Sequence, residues 1–308
     1  MNITIRVPAT SANLGPGFDS LGLALDLWNE TVITLAIEYT VQISGEGMER
    51  LSPGENNMII QSAQKLAERV GKHLPPFHVD CINRIPLSSG LGSSAAAKLT
   101  GLLGANTLLG KPFSHDDILN LATEMEGHSD NVAPALLGGL VVSTVDYGKV
   151  FAHKINIEAN HTALGQVESP FHITVVVPDF NISTNEARIV LPEQVEIKDA
   201  VHNISRAMLL TEAFRNGDLD LLGKAMTDTL HQPYRLSLIP GAQEAINAAK
   251  ETGASAAALS GAGPSVIAFS PKQDSAIGEA MKRAFEQAGL QARVFPLRMS
   301  NYGAEIHI

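Results

Sequence analysis

The sequence predicts a two-part molecule, with mixed strands and helices in its first half and an α+β second half. Three patterns lead there. Apolar residues alternate with period two in short runs, and they recur at helical spacing in the segments between. A polar, irregular stretch at Ile157–Pro170, ending in Ser-Pro, separates the halves. The boundary is placed at 165/166, giving domains over 1–165 and 166–308. In order, Ile3, Ile5 and Val7 alternate as a strand. Leu21–Leu27 and Thr31–Ile37 read as two strands joined by a polar turn at Asn29-Glu30. Ile59, Ile60, Ala63, Leu66, Ala67 and Val70 mark a helix stopped at Gly71. Phe77–Ile82 is a strand, and a helix from Ser93 to Leu109 closes at Gly110 and Pro112. Ser114 with Asp117 caps the helix carrying Ile118, Leu119 and Leu121. Past the boundary come a strand (Phe171–Val177) and helices over 199–216, 218–230 and 241–251. Strands Ser255–Leu259 and Val266–Phe269 flank a Gly-Pro turn, followed by a helix over 275–288 and a strand Ala292–Leu297. Helices flanking a few strands make the second domain α+β.

The chain has 308 residues and a formal net charge of −10, without any run of Lys or Arg. Nucleic acid and anionic membrane surfaces both need a basic face, so neither is expected as a partner. Cys81 is the single cysteine, in the alternating run H-V-D-C-I-N, and reads as a packed thiol. The N-terminal residues lack a signal layout, and no apolar run approaches about 18 residues. These features fit a cytoplasmic protein.

The chemistry concentrates in three glycine-bearing segments. Ile85–Ala97 reads I-P-L-S-S-G-L-G-S-S-A-A-A and joins a strand to a helix. There a phosphate can sit on free backbone N–H groups at a helix N-terminus. Glycines allow close approach, serine hydroxyls add donors, cap the helix or reach a Mg²⁺, and small alanines keep the first turn clear. A plain glycine-rich turn with a serine N-cap is the structural alternative. Neither G-x-x-x-x-G-K-[ST] nor G-x-G-x-x-G is present, and Gly104–Pro112, which nearly mimics the first, is a helix terminator. Pro8–Asp19 (P-A-T-S-A-N-L-G-P-G-F-D) gathers Asn13 and Asp19 in a loop between strands, where an Asx turn is the competing account. Leu259–Ser265 (L-S-G-A-G-P-S) is a third such turn.

In order and wording these segments resemble the three motifs of the GHMP small-molecule kinases, over nearly the whole chain. Glu126–Leu136 (E-G-H-S-D-N-V-A-P-A-L) and His231–Arg235 (H-Q-P-Y-R) are similar to the homoserine-phosphorylating branch. The resemblance implies an N-terminal α/β, ATP-binding domain of the ribosomal protein S5 domain 2-like type and a ferredoxin-like C-terminal domain, with the active site between them. It implies transfer of the γ-phosphoryl group of ATP to the side-chain hydroxyl of L-homoserine, a step of threonine biosynthesis. Pro86, Leu87, Ser88, Ser89, Gly90, Leu91, Gly92, Ser93, Ser94, Ala95 and Ala96 then wrap the triphosphate. Asn57 matches a position near the adenine, though a helix cap explains it equally well. Ser94 and Glu126 match the Mg²⁺ ligands. Arg188 and Arg235 match the groups for the substrate carboxylate, assisted by Thr184 and His128. Asn13, Asp19, Asn131 and Gly261 fall in the segments holding the amino and hydroxyl ends. Asn13, Asp19 and Arg188 are the catalytic candidates.

One departure from the branch is Ser129, where a proline is common. Asp19 or Asp130 can in principle take the hydroxyl proton, but the resemblance implies catalysis by alignment and charge stabilisation without a dedicated base. Lys98, one helical turn past the phosphate loop, has no family match. Two rival readings stay open. One is a mevalonate- or sugar-type kinase of the same superfamily, and the other is a nucleotide-binding protein without turnover. Homodimerisation enters only as a family tendency.

Overall fold

The computed structural model describes residues 2–157, 160–161, 167–168 and 170–308, so the boundary expected at 165/166 lies outside the described residues. The chain opens with β1 (Asn2–Ala12), β2 (Leu21–Leu35) and β3 (Thr40–Gly45), followed by α1 (Met58–Val70) and β4 (Phe77–Asn83). Next come α2 (Ser93–Leu108), α3 (His115–Glu126), α4 (Val132–Leu137), β5 (Leu140–Asp146) and β6 (Lys149–Ile155). The two-residue strands β7 (Asn160–His161) and β8 (Val167–Glu168) pair with each other. Then follow β9 (His172–Pro178), α5 (Thr184–Ile189), α6 (Ile197–Asn216), α7 (Leu219–Ala225), α8 (Gln232–Leu236) and α9 (Ala242–Glu251). The chain ends with β10 (Ala256–Leu259), β11 (Val266–Ser270), α10 (Ser275–Gln287), β12 (Ala292–Leu297) and β13 (Glu305–His307).

The first sheet runs β13-β1-β2-β4-β3, and the β5–β6 hairpin attaches to the start of β2. α2 lies at the centre of this half, buried around most of its circumference, with Leu99, Leu102 and Ala105 fully enclosed. Such a helix carries apolar residues on all sides because it is packed on all sides. α1 buries Ile59, Ile60 and Leu66, each contributing roughly 1.5–3 kcal/mol, against about 1 kcal/mol for its Asn57 cap. Packing therefore holds α1, and the cap sets where it begins.

The second sheet has the order β12-β9-β11-β10, all pairs antiparallel, with helices between β9 and β10 and between β11 and β12. This is the split β-α-β arrangement expected for the ferredoxin-like half. The last strand, β13, returns to the first sheet and pairs with β1.

Several expectations need correcting. β2 is one continuous strand rather than two joined at Asn29-Glu30. Asn29 is buried there, and its side-chain oxygen accepts from the N–H groups of Arg84 and Ile85, so its polarity serves the start of the Ile85–Ala97 segment. The helix expected over 218–230 stops at Ala225: Thr227 N turns back to Ala225 O, Thr229 N donates to Asn203 Oδ1, and Leu230 N donates to Asp228 Oδ1. No serine side chain caps α2. Its N-cap is Gly92, in the left-handed region at φ +71°. The strands β3, β5, β6, β7, β8 and β13 and the helices α4, α5 and α8 are not expected from the sequence. The Gly71 stop, the Ser114–Asp117 capping box and the buried Cys81 thiol, raised in pKa by burial, are as expected.

Candidate active site

The glycine-bearing segment Ile85–Ala97 crosses from β4 into α2 and divides two neighbouring cavities. The first, about 280 Å³, is lined by Ser88–Ser94 together with Asn13, Asp19, Glu126, His128 and Arg188, among others. The second, about 400 Å³, shares Ser88, Ser93 and Ser94 and adds Asn57, Met58, Ile43 and Leu87. A charged chamber and a more apolar one thus meet at a run of bare backbone. Gly90 and Gly92 make that run possible. Gly90 has φ +80°, and a Cβ there would stand 2.1 Å from the Ser260 carbonyl oxygen. A Cβ on Gly92 would meet Thr10 Oγ1 at 2.1 Å. With Gly92 as a capless N-cap, the first N–H groups of α2 remain available to an anion.

The third glycine turn belongs to the second domain and locks onto this loop. Ser260 Oγ donates to Gly90 O at 2.8 Å, and Ser265 N donates to Ser89 O at 3.3 Å. Gly261 N donates to Ala12 O at 3.0 Å, while Gly261 O accepts from Asn13 Nδ2 at 2.8 Å. All three motifs therefore converge at one place.

Asn13 is buried, and its Oδ1 accepts the Asp19 N–H at 3.0 Å, so the Asx-type role exists alongside its position on the cavity wall. Asp19 accepts from both terminal nitrogens of Arg188, each at 2.8 Å. That bidentate pair joins the two domains and raises the Arg188 pKa, chiefly through the Asp19 hydrogen bond. Arg235 is 2% exposed yet has no carboxylate at ion-pair distance among the described residues. Its contacts are neutral acceptors: Ala187 O at 3.1 Å, His231 Nδ1 at 3.3 Å and Gly261 O at 3.4 Å. Burial, and then the nearby Arg188 charge, pull its pKa down. The Phe18 ring lies under both guanidinium groups, 5.1 Å from Arg235 and 5.8 Å from Arg188.

On the opposite wall, Ser94 Oγ donates to Glu126 Oε2 at 2.9 Å, and the Lys98 ammonium donates to the same oxygen. A hydroxyl beside a carboxylate is an oxygen donor set that suits Mg²⁺. Among the described residues no group of three or more His, Cys, Asp or Glu could hold a metal, so the rest of any shell would come from phosphate and water. His128 Nδ1 sits 2.5 Å from Asp130 Oδ1. Burial depresses the His128 pKa, but the Asp130 hydrogen bond and charge, with Glu126, outweigh it and leave it raised. Asn131 Oδ1 accepts from Thr10 Oγ1 at 2.8 Å. Ser129, the departure from the branch, is buried with its Oγ 2.8 Å from Ser143 Oγ.

The structure thus brings Asn13, Asp19, Ser88–Ser94, Glu126, His128, Asn131, Thr184, Arg188, Arg235 and Gly261 around the first cavity, and Asn57 and Leu87 to the second. It does not bring Pro86, Ala95 or Ala96 to either wall. The two alanines are fully buried, which clears space behind the loop. Sequence reasoning missed Phe18, Ile182 and Ser183. The last carried a readable signal, since Ser183 and Glu186 form a capping box that starts α5 and so aims Arg188.

Comparison with known proteins places this architecture. The family profile "GHMP kinases N terminal domain" matches residues 57–139, and "GHMP kinases C terminal" matches residues 210–287. The chain is 45% identical to a homoserine kinase of Moorella thermoacetica over 303 residues, covering 98% of this chain and 99% of that one. It is 40% identical to a homoserine kinase of Clostridium beijerinckii over 305 residues, covering 99% and 98%. A crystal structure of homoserine kinase from Cytophaga hutchinsonii superposes with a TM-score of 0.85 at 31% identity, covering 99% of this chain and 97% of that one. On this evidence the chain belongs to the GHMP kinases and, within them, to the homoserine kinase family.

Proposed function

We propose that the protein transfers the γ-phosphoryl group of ATP to the side-chain hydroxyl of L-homoserine, giving O-phospho-L-homoserine and ADP in threonine biosynthesis. The observation that carries this reading is the pair of cavities meeting at Ser88–Ser94, with Arg235 buried and unpaired beside the charged one. A guanidinium held by neutral acceptors alone is poised for an anion that arrives from outside. The α-carboxylate of homoserine fits, bound by Arg235 and Arg188 with Thr184 alongside. Asn13, Asp19, His128, Asn131 and Gly261 hold the ammonium and hydroxyl ends. The N–H groups of Ser88–Ser94 cradle the triphosphate, while the second cavity, with Asn57 at its wall, takes the adenine.

Ser94 and Glu126 would hold Mg²⁺, which when bound neutralises charge on the transferring phosphoryl group. The reaction forms a bond from the homoserine oxygen to the γ-phosphorus and breaks the bond to the β-bridging oxygen. Both Asp19 oxygens are engaged by Arg188, and the Asp130 carboxylate is engaged by His128. That arrangement supports a mechanism in which alignment and charge stabilisation suffice, and the hydroxyl proton passes to a phosphate oxygen. Asn13, Asp19 and Arg188 then act by positioning the hydroxyl rather than by abstracting its proton.

We also read the protein as cytoplasmic and homodimeric. Among the described residues no helix is long and apolar enough to cross a membrane. Ile197, Val201, Ile204 and Met208 form an exposed stripe at heptad-like spacing along α6. A second copy packed along α6 would cover it. Light scattering on the purified protein tests this, and a monomer at micromolar concentration overturns it. For the activity, ADP release is measured with homoserine, threonine, mevalonate and galactose as acceptors. Turnover on homoserine is expected. Turnover on mevalonate or galactose alone, or nucleotide binding without turnover on any acceptor, overturns the reading.

A further inference from the structure

Lys98 lies four residues, one helical turn, beyond Ser94 on α2, which puts both side chains on the same face. Its side chain is 12% exposed and ends on Glu126, a residue of the first cavity's wall. It donates to Glu126 Oε2, the oxygen that also accepts from Ser94 Oγ, and to the Met125 carbonyl oxygen at 3.1 Å. Met125 and Glu126 are the last two residues of α3. This spot therefore combines a carboxylate, a free helix-end carbonyl and the negative end of a helix dipole. Three features that favour a cation converge there, and a side-chain ammonium fills the place.

We infer that Lys98 is a resident counter-cation of Glu126, which a divalent ion must displace, so that Lys98 sets the metal affinity of the site and ties metal binding to nucleotide binding. The inference rests on reading Ser94 and Glu126 as the metal-holding pair. Its physical basis is competition. A divalent ion reaching Glu126 Oε2 takes the lone pairs now given to Lys98 and meets a positive charge held within a few ångströms. One carboxylate and one hydroxyl, with Lys98 in place, form a weak site by themselves. Phosphate oxygens add the negative charge that tips the balance, so the ion is accepted together with the nucleotide. Lys98 thus acts through Glu126 as a positioning residue and need not touch the reacting atoms.

The test is equilibrium binding of Mn²⁺, read by electron paramagnetic resonance of the free ion, with and without ADP. The variants are Lys98→Met, Lys98→Gln, Lys98→Arg and Glu126→Gln. Met keeps the aliphatic stem and the helix propensity while removing the charge. Removing a unit charge near a divalent ion in a partly solvated site is expected to tighten Mn²⁺ binding about tenfold with ADP present. Lys98→Met is also expected to give measurable binding without nucleotide, where the wild type shows little. Lys98→Gln, a polar control should the Met variant fold poorly, shifts affinity in the same direction. Lys98→Arg keeps the charge and stays within about twofold of wild type. Unchanged or weaker Mn²⁺ binding in folded Lys98→Met or Lys98→Gln overturns the inference and leaves Lys98 as a tether for the end of α3. Glu126→Gln separates the two layers. If it leaves Mn²⁺ affinity intact, the metal-site reading itself fails. If it weakens binding while the Lys98 variants do nothing, only the counter-cation role fails.

Discussion

Replacing Arg235 with Met should cut homoserine affinity while sparing the fold, a combination that few buried arginines would give. The side chain is 2% exposed and carries its charge among neutral acceptors at 3.1, 3.3 and 3.4 Å. Keeping an unpaired ion in such a place costs several kcal/mol. Removing it relieves that cost and the repulsion from Arg188, against hydrogen bonds worth about 1 kcal/mol each. The two sides nearly offset, so Tm is expected to move by no more than a few degrees in either direction. Substrate binding has no such compensation. Deleting one partner of a desolvated, hydrogen-bonded charge pair costs roughly 2–5 kcal/mol, and a value near 3 corresponds to about 150-fold in Kd. The carboxylate is remote from the reacting hydroxyl, so KM should rise by that factor while kcat falls less than about tenfold. Coupled ADP-release kinetics across homoserine concentrations, calorimetric titration of homoserine and a thermal melt measure all three quantities. A homoserine KM and Kd within about threefold of wild type, in a folded variant that still binds nucleotide, would refute the assignment. A Tm lowered by more than about 10 °C would show instead that the guanidinium is a structural brace.

Asp19→Asn should raise the homoserine KM about tenfold, because Arg188 loses the charge that anchors it, and should lower kcat by less than about a hundredfold. A general base contributes roughly 10²–10⁴, so kcat at background with homoserine binding and fold intact would sink the no-base mechanism. Gly90→Ala should raise the ATP KM more than about tenfold, since the new Cβ would stand 2.1 Å from Ser260 O on a residue at φ +80°; nucleotide titration checks it. Ser129→Ala and Ser143→Ala should each destabilise by about 1 kcal/mol, with a coupling near that size in the double variant. Fully additive losses in urea unfolding would show that the hydroxyl pair contributes nothing.

The strand-to-helix junction at Ile85–Ala97 was legible from its glycines and serines, and the caps at Gly71 and Ser114 each carry a local signal that the structure bears out. Asn29 misled because a buried polar residue in mid-strand looks like a turn until its distant partners, the N–H groups of Arg84 and Ile85, are known. The β5–β6 hairpin was readable in retrospect. Asp146 pairs with Lys149 around Tyr147-Gly148, both at positive φ, as two-residue hairpin loops require. β13 was not readable, since three residues pairing with the other end of the chain leave no local trace. In the site, residue types were visible but partnerships were not. Arg188 and Arg235 look alike in sequence. Only the fold gives one of them a carboxylate and leaves the other waiting for one.

The return of β13 to the first sheet also ties the two domains together a second time. The chain passes from the first sheet to the second between β6 and β9, and back between β12 and β13. A body attached at one crossing can swivel freely, whereas one attached at two can turn only about the line through both. The two crossings, together with the Ser260–Gly90 and Gly261–Ala12 hydrogen bonds, therefore hold the domains in register. The Asp19–Arg188 pair, with one residue in each domain, adds a charged tie across the same seam.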